Sequence, residues 1–239
     1  MTQAVDLANA INGFVVGCKQ DGIWDAIKAC CIMAAWDGLN GALYPLKGAA
    51  PTNYNFVAGD YNRETGLKGD GSTKYVDSNR NNNADPQNSR HIAVYASTRN
   101  TETAVRAYIR ATFADGVGAT QILSGAVSQK ISSRCSDDTT TTSSGNLHSS
   151  NGFLGISRSL SGLYTARGNG INETITQASF VPGGGDYFIY AGNNNGPSSS
   201  IDLYSDARLT FYSIGESLDL AALDTRVSAL ITAIGAAIP

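Results

Sequence analysis

The sequence contains few of the residues from which metal and redox sites are usually built. Its 239 residues include only four cysteines and two histidines. A zinc site needs paired ligands at loop spacing with partners elsewhere, whereas three of the cysteines fall early in the chain, far from both histidines. We therefore predict no metal site and no cofactor. Cys30 and Cys31 are interpreted as small buried helix residues of a protein made in a reducing compartment.

Carboxylate pairs suited to glycoside hydrolysis are also missing. The chain has four isolated glutamates: Glu64, Glu102, Glu173 and Glu216. Hydrolysis needs two carboxylates facing one bond, and no Glu-x-Asp-x-x-Glu strand motif occurs. Asp137 and Asp138 lie in a polar stretch that is poorly suited to holding a precise geometry. No Gly-x-Ser-x-Gly motif accompanies His91 or His148. The residues therefore predict that the protein is not an enzyme.

The charge is small and of no single sign. The net charge is −3 and no basic stripe is visible, so there is no electrostatic footprint for nucleic acid. The N-terminus lacks the basic and apolar regions of a secretory signal. No apolar run approaches the roughly 20 residues that span a bilayer. We predict no nucleic-acid partner, no secretory signal and no membrane insertion.

Helical periodicity is confined to the two ends of the chain. Apolar residues recur at three- and four-residue steps over 2–16, 23–36 and 220–234, which predicts three helices. The second is apolar nearly all round, and the three together exceed what one sandwich face would cover, so we expect them to help join the chain to its own copies or to another protein of the same assembly. The alternative is that they pack on their own domain. The predicted division is a helical segment at 1–42, a β-sandwich at 43–215 and a C-terminal helix at 216–239.

The middle of the chain is typical of an all-β sandwich. Short segments rich in Tyr, Ile, Val, Phe and Thr are separated by Gly, Asn, Ser and Asp, and several alternate, as in VRAYIRA at 105–111. The predicted strands are 73–77, 90–97, 105–112, 120–127, 129–134, 152–158, 163–167, 172–181, 186–192, 200–204 and 208–214. We predict that the polar stretch 136–150 is a mobile loop with almost no apolar anchors.

Two asparagine clusters are the candidate binding residues. DSNRNNNAD, at 77–85, begins like a calcium loop but has Asn82 where Gly is needed and Asn88 where a bidentate Glu is needed. The amides instead suit sugar hydroxyls, because each offers donors and an acceptor. The plainer interpretation is a polar corner, because Asn tolerates left-handed backbone and caps turns. The candidate glycan-binding residues are Asn79, Asn81 and Asn83 with Asn193, Asn194 and Asn195 of a second cluster, GNNNGP.

Tyrosines are the other feature with more than one interpretation. The chain has 11 tyrosines and seven phenylalanines. Tyrosine suits half-buried sheet faces because it combines a flat apolar body with a polar tip. Most are expected to pack the sheets, and a few to offer a platform for a sugar ring.

The order of segments resembles a known family. LKGDGSTKYVDSN, RHIAVYAST, GDYFIYAGNNNGP and RLTFYSIGESLD follow one another as in the laminin G-like, concanavalin A-like jelly roll. The match covers roughly 43–215. The resemblance implies a mainly β, concanavalin A-like jelly-roll sandwich with α-helical N- and C-terminal extensions. Such a family fixes a fold better than a function.

A narrower resemblance concerns function. The segment around 45–91, together with GISRSLSGLYTARGNG and the closing helix, is similar to jelly-roll domains in virion structural proteins of tailed bacteriophages. It implies a fibre, tail component or capsid decoration, made in the host cytoplasm and carried in the virion. Its partners would be other virion proteins, copies of itself and a host surface glycan held in lectin-like fashion. The alternatives are a glycan-degrading enzyme on the same fold and a stand-alone carbohydrate-binding module.

Overall fold

The computed structural model describes residues 2–101, 104–113, 116–125, 127–195 and 200–238. They form mostly strands, with a long helix at each end of the chain. The helices are α1 (Thr2–Gln20), α2 (Leu39–Ala42) and α3 (Leu220–Ala237), with 3₁₀ turns at Ala58–Asp60 and Asn82–Ala84. The strands are β1 (Ile27–Ile32), β2 (Pro45–Lys47), β3 (Thr52–Tyr54), β4 (Tyr61–Asn62), β5 (Gly66–Lys68), β6 (Tyr75–Asn81), β7 (Arg90–Thr98), β8 (Arg106–Phe113), β9 (Ala119–Ser124), β10 (Ile131–Asp137), β11 (Thr141–Thr142), β12 (Gly152–Leu160), β13 (Leu163–Gly168), β14 (Ile171–Thr176), β15 (Asp186–Ile189), β16 (Gly192–Asn195), β17 (Ser200–Asp202) and β18 (Arg208–Gly215).

The strands form two nine-stranded sheets packed face to face. One sheet, here called the covered sheet, has the order β14-β13-β12-β7-β18-β1-β2 with β4 and β5 attached. The other, the open sheet, has the order β11-β10-β9-β8-β15-β6-β3 with β16 and β17 attached. Pairing is antiparallel except between β16 and β8. The predicted jelly-roll sandwich is confirmed.

Two apolar layers hold the domain together. The larger lies between the sheets and includes Val76, Ile109, Ile122 and Tyr212, all fully buried. The second lies between the covered sheet and the two long helices, where Phe211 meets the ring of Phe14 at 5.6 Å. The order of layers is therefore helices, covered sheet, open sheet.

The predicted second helix is wrong, because its centre is the strand Ile27–Ile32. This strand pairs with β18 inside the covered sheet and is buried on both faces. Cys31 faces the layer between the sheets, while Cys30 and Ile32 face the helices. A strand buried on both sides reads as a continuous apolar run, which periodicity alone does not distinguish from a buried helix. The division at 1–42, 43–215 and 216–239 stays a prediction, although β1 lies in the first of these segments.

The two long helices pack on the covered sheet, as the alternative interpretation expected. They run in opposite directions. Arg226, in the first half of α3, pairs with Asp21 just after the end of α1 (2.6 Å), and Ala237 at the end of α3 lines the groove between the helices together with Asp6 near the start of α1. The helix α3 is long and apolar enough to cross a bilayer by length and composition. Its apolar stripe is packed instead: Leu220, Leu223, Val227, Leu230 and Ile234 are buried.

The stretch 136–150 has anchors that the sequence did not reveal. Leu147 and His148 are buried, and β11 pairs with β10. The carboxylate of Glu173 accepts the backbone N–H groups of Ser144 (2.7 Å) and Gly145 (2.8 Å). Leu147 is the buried apolar anchor of this segment and the other contacts are polar, so the mobility of the segment stays a prediction.

Candidate functional site

An aromatic cluster lies on the outer face of the open sheet. It consists of Tyr54, Tyr75, Phe188 and Tyr204 and is called the aromatic platform below. Tyr54 stacks on Tyr75 with centroids 4.3 Å apart and planes 6° from parallel. The Tyr75 ring also meets Phe188 at 4.7 Å and Tyr204 at 6.4 Å. Tyr54 is 39% exposed, so one face of the domain offers aromatic surface to solvent.

Strand register brings these rings together. Tyr54 of β3 lies opposite Tyr75 of β6, and Phe188 of β15 lies opposite Asp77, two residues further along β6. Side chains alternate along a strand, so the intervening Val76 points into the core with Ile189 of β15. Tyr54, Tyr75 and Phe188 thus lie on the outer face of three adjacent strands, and Tyr204, which follows β17, completes the platform beside Tyr75.

Carboxylates border the platform. Asp77 lies beside Phe188 and opposite Thr52, and its Oδ1 accepts the backbone N–H of Asn79 at 2.8 Å. Burial raises the pKa of Asp77, and the nearby carboxylate of Asp186 raises it further. Burial likewise raises the pKa of Tyr75 to about 12, with added contributions from neighbouring tyrosines and Asp77. The platform is therefore apolar at its centre and negatively charged at one edge.

Two arginines flank the same face, and each is neutralised. Arg110 Nη1 lies 2.8 Å from Asp202 Oδ1, and Arg106 Nε lies 3.4 Å from Asp206 Oδ1. The other carboxylate oxygen of Asp202 accepts the amide of Asn194 at 2.6 Å. Burial raises the pKa of Tyr204, and the nearby carboxylates of Asp70 and Asp202 add to it. This edge of the platform is also bordered by acidic groups.

The first asparagine cluster mainly stabilises its own corner. Asn79 adopts a left-handed backbone (φ 53°) and donates its amide to Ala50 O (2.7 Å) and Thr52 Oγ1 (3.0 Å). Asn81 accepts the backbone N–H of Asn83 and donates to Asp186 Oδ1 at 3.2 Å. Asn83 is exposed. These contacts fit the polar-corner interpretation, and glycan binding by these residues stays a prediction.

The second asparagine cluster meets the first at Asp186. Asn193 donates its amide to the carbonyl of Asp186 at 2.7 Å, and Asp186 also accepts Asn81. Asn194 bonds Asp202, and the side chain of Asn195 packs against Gly185. Their role in glycan binding also stays a prediction. The remainder of GNNNGP, 196–197, lies outside the described residues.

The cysteines of the described chain are buried, and Glu216 has a structural partner. All four cysteines are free and buried, and burial raises the pKa of Cys18, Cys31 and Cys135 to about 12, so these thiols are protonated at neutral pH. Within the described residues no three His, Cys, Asp or Glu side chains group as metal ligands. Glu216 pairs with Lys28 at 3.0 Å. Glu102 lies outside the described residues.

Sequence reasoning missed most of this site. It named the asparagines, because they cluster in the sequence, and Asp77 as the start of a calcium-like stretch, but it did not single out the four platform aromatics. The platform residues are separated by up to 150 positions, and only strand register joins them. The one available signal was the excess of tyrosine over phenylalanine, which does not say which tyrosines face outward.

Comparison with known proteins finds similarity of fold. No protein-family model and no curated protein matches the chain. The receptor-binding domain of the botulinum neurotoxin C/D mosaic serotype is 13% identical with a TM-score of 0.55, over 86% of this chain and 51% of that one. The serotype D binding domain is 12% identical with a TM-score of 0.54, over 86% of this chain and 51% of that one. A sialidase carbohydrate-binding module from Ruminococcus gnavus, bound to α2,3-sialyllactose, is 10% identical with a TM-score of 0.45, over 58% of this chain and 82% of that one. The chain spans about half of each toxin domain, and the similarity to these two toxin domains shows a shared fold.

Proposed function

We propose that this chain is a non-enzymatic, lectin-like domain that binds a glycan on its aromatic platform. The observation that carries the proposal is the aromatic platform itself, in which Tyr54 is exposed, Phe188 and Tyr204 are partly exposed and Tyr75 is buried among them, with hydrogen-bonding groups at its edge. A pyranose has an apolar face of C–H groups and a rim of hydroxyls. The C–H face packs on an aromatic surface, and the hydroxyl groups form hydrogen bonds with carboxylates and amides. The toxin receptor-binding domains of similar fold support a binding role at the level of fold.

Hydrolysis at the same face is the competing candidate. The raised pKa of Asp77 and its proximity to Asp186 are features of a general acid with a partner carboxylate. Binding is favoured because Asp186 already accepts a hydrogen bond from Asn81, and Asp77 Oδ1 already accepts the backbone N–H of Asn79. Incubation with oligosaccharides and assay of new reducing ends distinguishes the two: release that is lost in Asp77→Asn would establish hydrolysis.

We further propose that this binding serves a structural protein of a tailed-bacteriophage virion, such as a fibre, tail component or capsid decoration. The support is the sequence resemblance alone. The protein would be made in the host cytoplasm, assemble with other virion proteins or its own copies, and contact host surface glycan. Immunogold labelling of purified particles tests the location. Absence of label from intact and disrupted particles would contradict it.

The binding experiment compares two tyrosines. Tyr54→Ala removes an exposed ring of the platform, whereas Tyr44→Ala removes a tyrosine that is 68% exposed elsewhere on the chain. Glycan-array binding by the wild type, lost in Tyr54→Ala and kept in Tyr44→Ala, is the expected result. Binding that Tyr54→Ala and Phe188→Ala leave unchanged would place any glycan site elsewhere.

A further inference from the structure

Resting on the proposed glycan-binding function, we propose that the aromatic platform selects uncharged sugars and rejects acidic ones. Asp77 is the acceptor for sugar hydroxyls at its edge. The class of ligand is a neutral pyranose with adjacent hydroxyls. Sugars that carry a carboxylate, uronic and sialic acids among them, are excluded.

The first support is the surplus of carboxylates at the platform. Asp77 lies beside Phe188, and Asp186 is close enough to raise its pKa. Neither carboxylate has a cation partner among the described residues. A carboxylate on a sugar stacked here would face like charges across a partly dehydrated surface, where repulsion is stronger than in bulk water. Asp70 adds a further negative charge near Tyr204.

The second support is that the cations beside the platform already have carboxylate partners. Arg110, opposite Phe188 in the sheet, is paired with Asp202 of β17, the strand that pairs with β16. An acidic sugar that sought the Arg110 guanidinium would have to displace this carboxylate. A neutral sugar meets no such competition, because hydroxyls donate to carboxylates and accept from amides.

Other cations are engaged or more distant. Lys74, which precedes Tyr75, is paired with Asp60. Arg134 lies on β10, three strands from Phe188 in the open sheet, which is roughly 14 Å at normal strand spacing. Its guanidinium bonds Gly116 O and Thr140 Oγ1. A pyranose centred on the platform does not span this distance.

The geometry at Asp77 suits a hydroxyl acceptor. Its Oδ1 takes one backbone N–H, from Asn79 at 2.8 Å, and this fixes the carboxylate on the outer face. No described residue donates a hydrogen bond to Oδ2 in this structure. The carboxylate therefore has capacity for hydroxyl donors from a sugar ring that stacks on Phe188.

The experiment uses sugars that differ only at C6. Methyl glycosides of glucose, galactose and mannose are titrated against the matching uronic acids by ligand-observed NMR on the full chain. The neutral member of at least one pair is expected to bind about tenfold more tightly than its acid at low salt. The ratio of the dissociation constant of the acid to that of the neutral sugar is expected to fall toward one in 1 M salt, because salt screens charges.

Two variants sharpen the test. Asp202→Asn leaves Arg110 without its carboxylate partner and should raise the affinity for the uronic acid relative to the neutral sugar. Asp77→Asn should weaken the binding of the neutral sugar and bring the affinities for the neutral sugar and the uronic acid closer together. The matched control is Asp6→Asn, on an exposed position of α1, which removes one charge from the opposite side of the domain and should leave the ratio unchanged.

The possible results separate the two proposals. Uronic acids that bind as tightly as neutral sugars, with affinity lost in Tyr54→Ala, would overturn the selectivity and keep the glycan site. Absence of binding by both classes, and on the glycan array, would overturn the proposed function and the selectivity with it. An unchanged ratio in Asp202→Asn and Asp77→Asn would show that these carboxylates do not set the selectivity.

Discussion

The two outer faces of the sandwich are built from different side chains. The outer face of the covered sheet presents mainly apolar side chains, among them Ala93, Phe153 and Phe211 with Tyr95 partly buried beside them, and two helices cover it. The outer face of the open sheet presents tyrosines with carboxylates between them, and no described helix covers it. A face that is always covered is stabilised most by apolar side chains. A face that contacts both water and a ligand is better served by rings with polar edges. The difference indicates which face stabilises the fold and which is available for binding.

The largest expected effect is on the covered face. Phe211 is fully buried between sheet and helices and meets Phe14 edge to face. Phe211→Ala should lower the free energy of unfolding by about 3–5 kcal/mol, because it removes a large side chain and leaves a cavity. Urea titration followed by circular dichroism measures this. A loss below about 1 kcal/mol would show that the helix layer contributes little to stability.

A pH titration tests the covered sheet through His91. Burial lowers the pKa of His91 to about 4, and its ring contacts Glu216 O (2.6 Å) and Ser213 Oγ (2.8 Å). In the unfolded chain the imidazole of His91 takes up a proton near pH 6.5, whereas in the folded chain it stays neutral down to about pH 4. The stability that neutral His91 gives the fold is therefore complete above pH 6.5 and is lost as the pH falls to about 4. The loss is about 3 kcal/mol at most.

The readout is the difference between the wild type and His91→Gln in the free energy of unfolding, measured from pH 7 to 4. Burial raises the pKa of Asp137 to about 6, and this carboxyl acts in the opposite direction because its protonated form is favoured in the fold. The difference removes that shared contribution. A difference that does not change with pH would contradict the assignment to His91.

A smaller effect is expected at the start of α3. Asp219 caps the helix, and its Oδ1 accepts the N–H groups of Ala221 (2.8 Å) and Ala222 (3.3 Å). Asp219→Ala should cost about 1 kcal/mol of stability, and Asp219→Asn much less. Glycan binding should stay the same, because the helix lies on the other side of the covered sheet. Equal losses in both variants would argue against capping as the cause.

The smallest effect on stability is expected at the platform. Tyr54 is 39% exposed on the edge strand β3, so Tyr54→Ala should change the free energy of unfolding by less than about 1 kcal/mol. Thermal unfolding of Tyr54→Ala and Phe211→Ala under the same conditions compares the destabilisation caused by the two substitutions directly. A destabilisation as large as that of Phe211→Ala would mean that the platform is a structural cluster instead of an available surface.

The sequence predicts the strands far better than the site. Strands such as Arg90–Thr98 were predicted within a residue or two, because alternation and turn residues are local signals. The strand Ile27–Ile32 was missed because both of its faces are buried. Phe188 and Tyr54 were not recognised as neighbours, because their proximity depends on pairing between distant strands. The asparagines were visible in composition, yet most of their amides serve turns.

The opposed directions of the two long helices determine how the domain can be attached. The start of α1 and the end of α3 lie at the same end of the helix layer. The platform faces outward from the far sheet, roughly 20 Å away across the covered and open sheets. A tether at either terminus, whether a sensor surface or a neighbouring segment of chain, therefore presents the rings of Tyr54 and Tyr75 outward. Immobilised protein should consequently be as accessible to ligand as protein in solution.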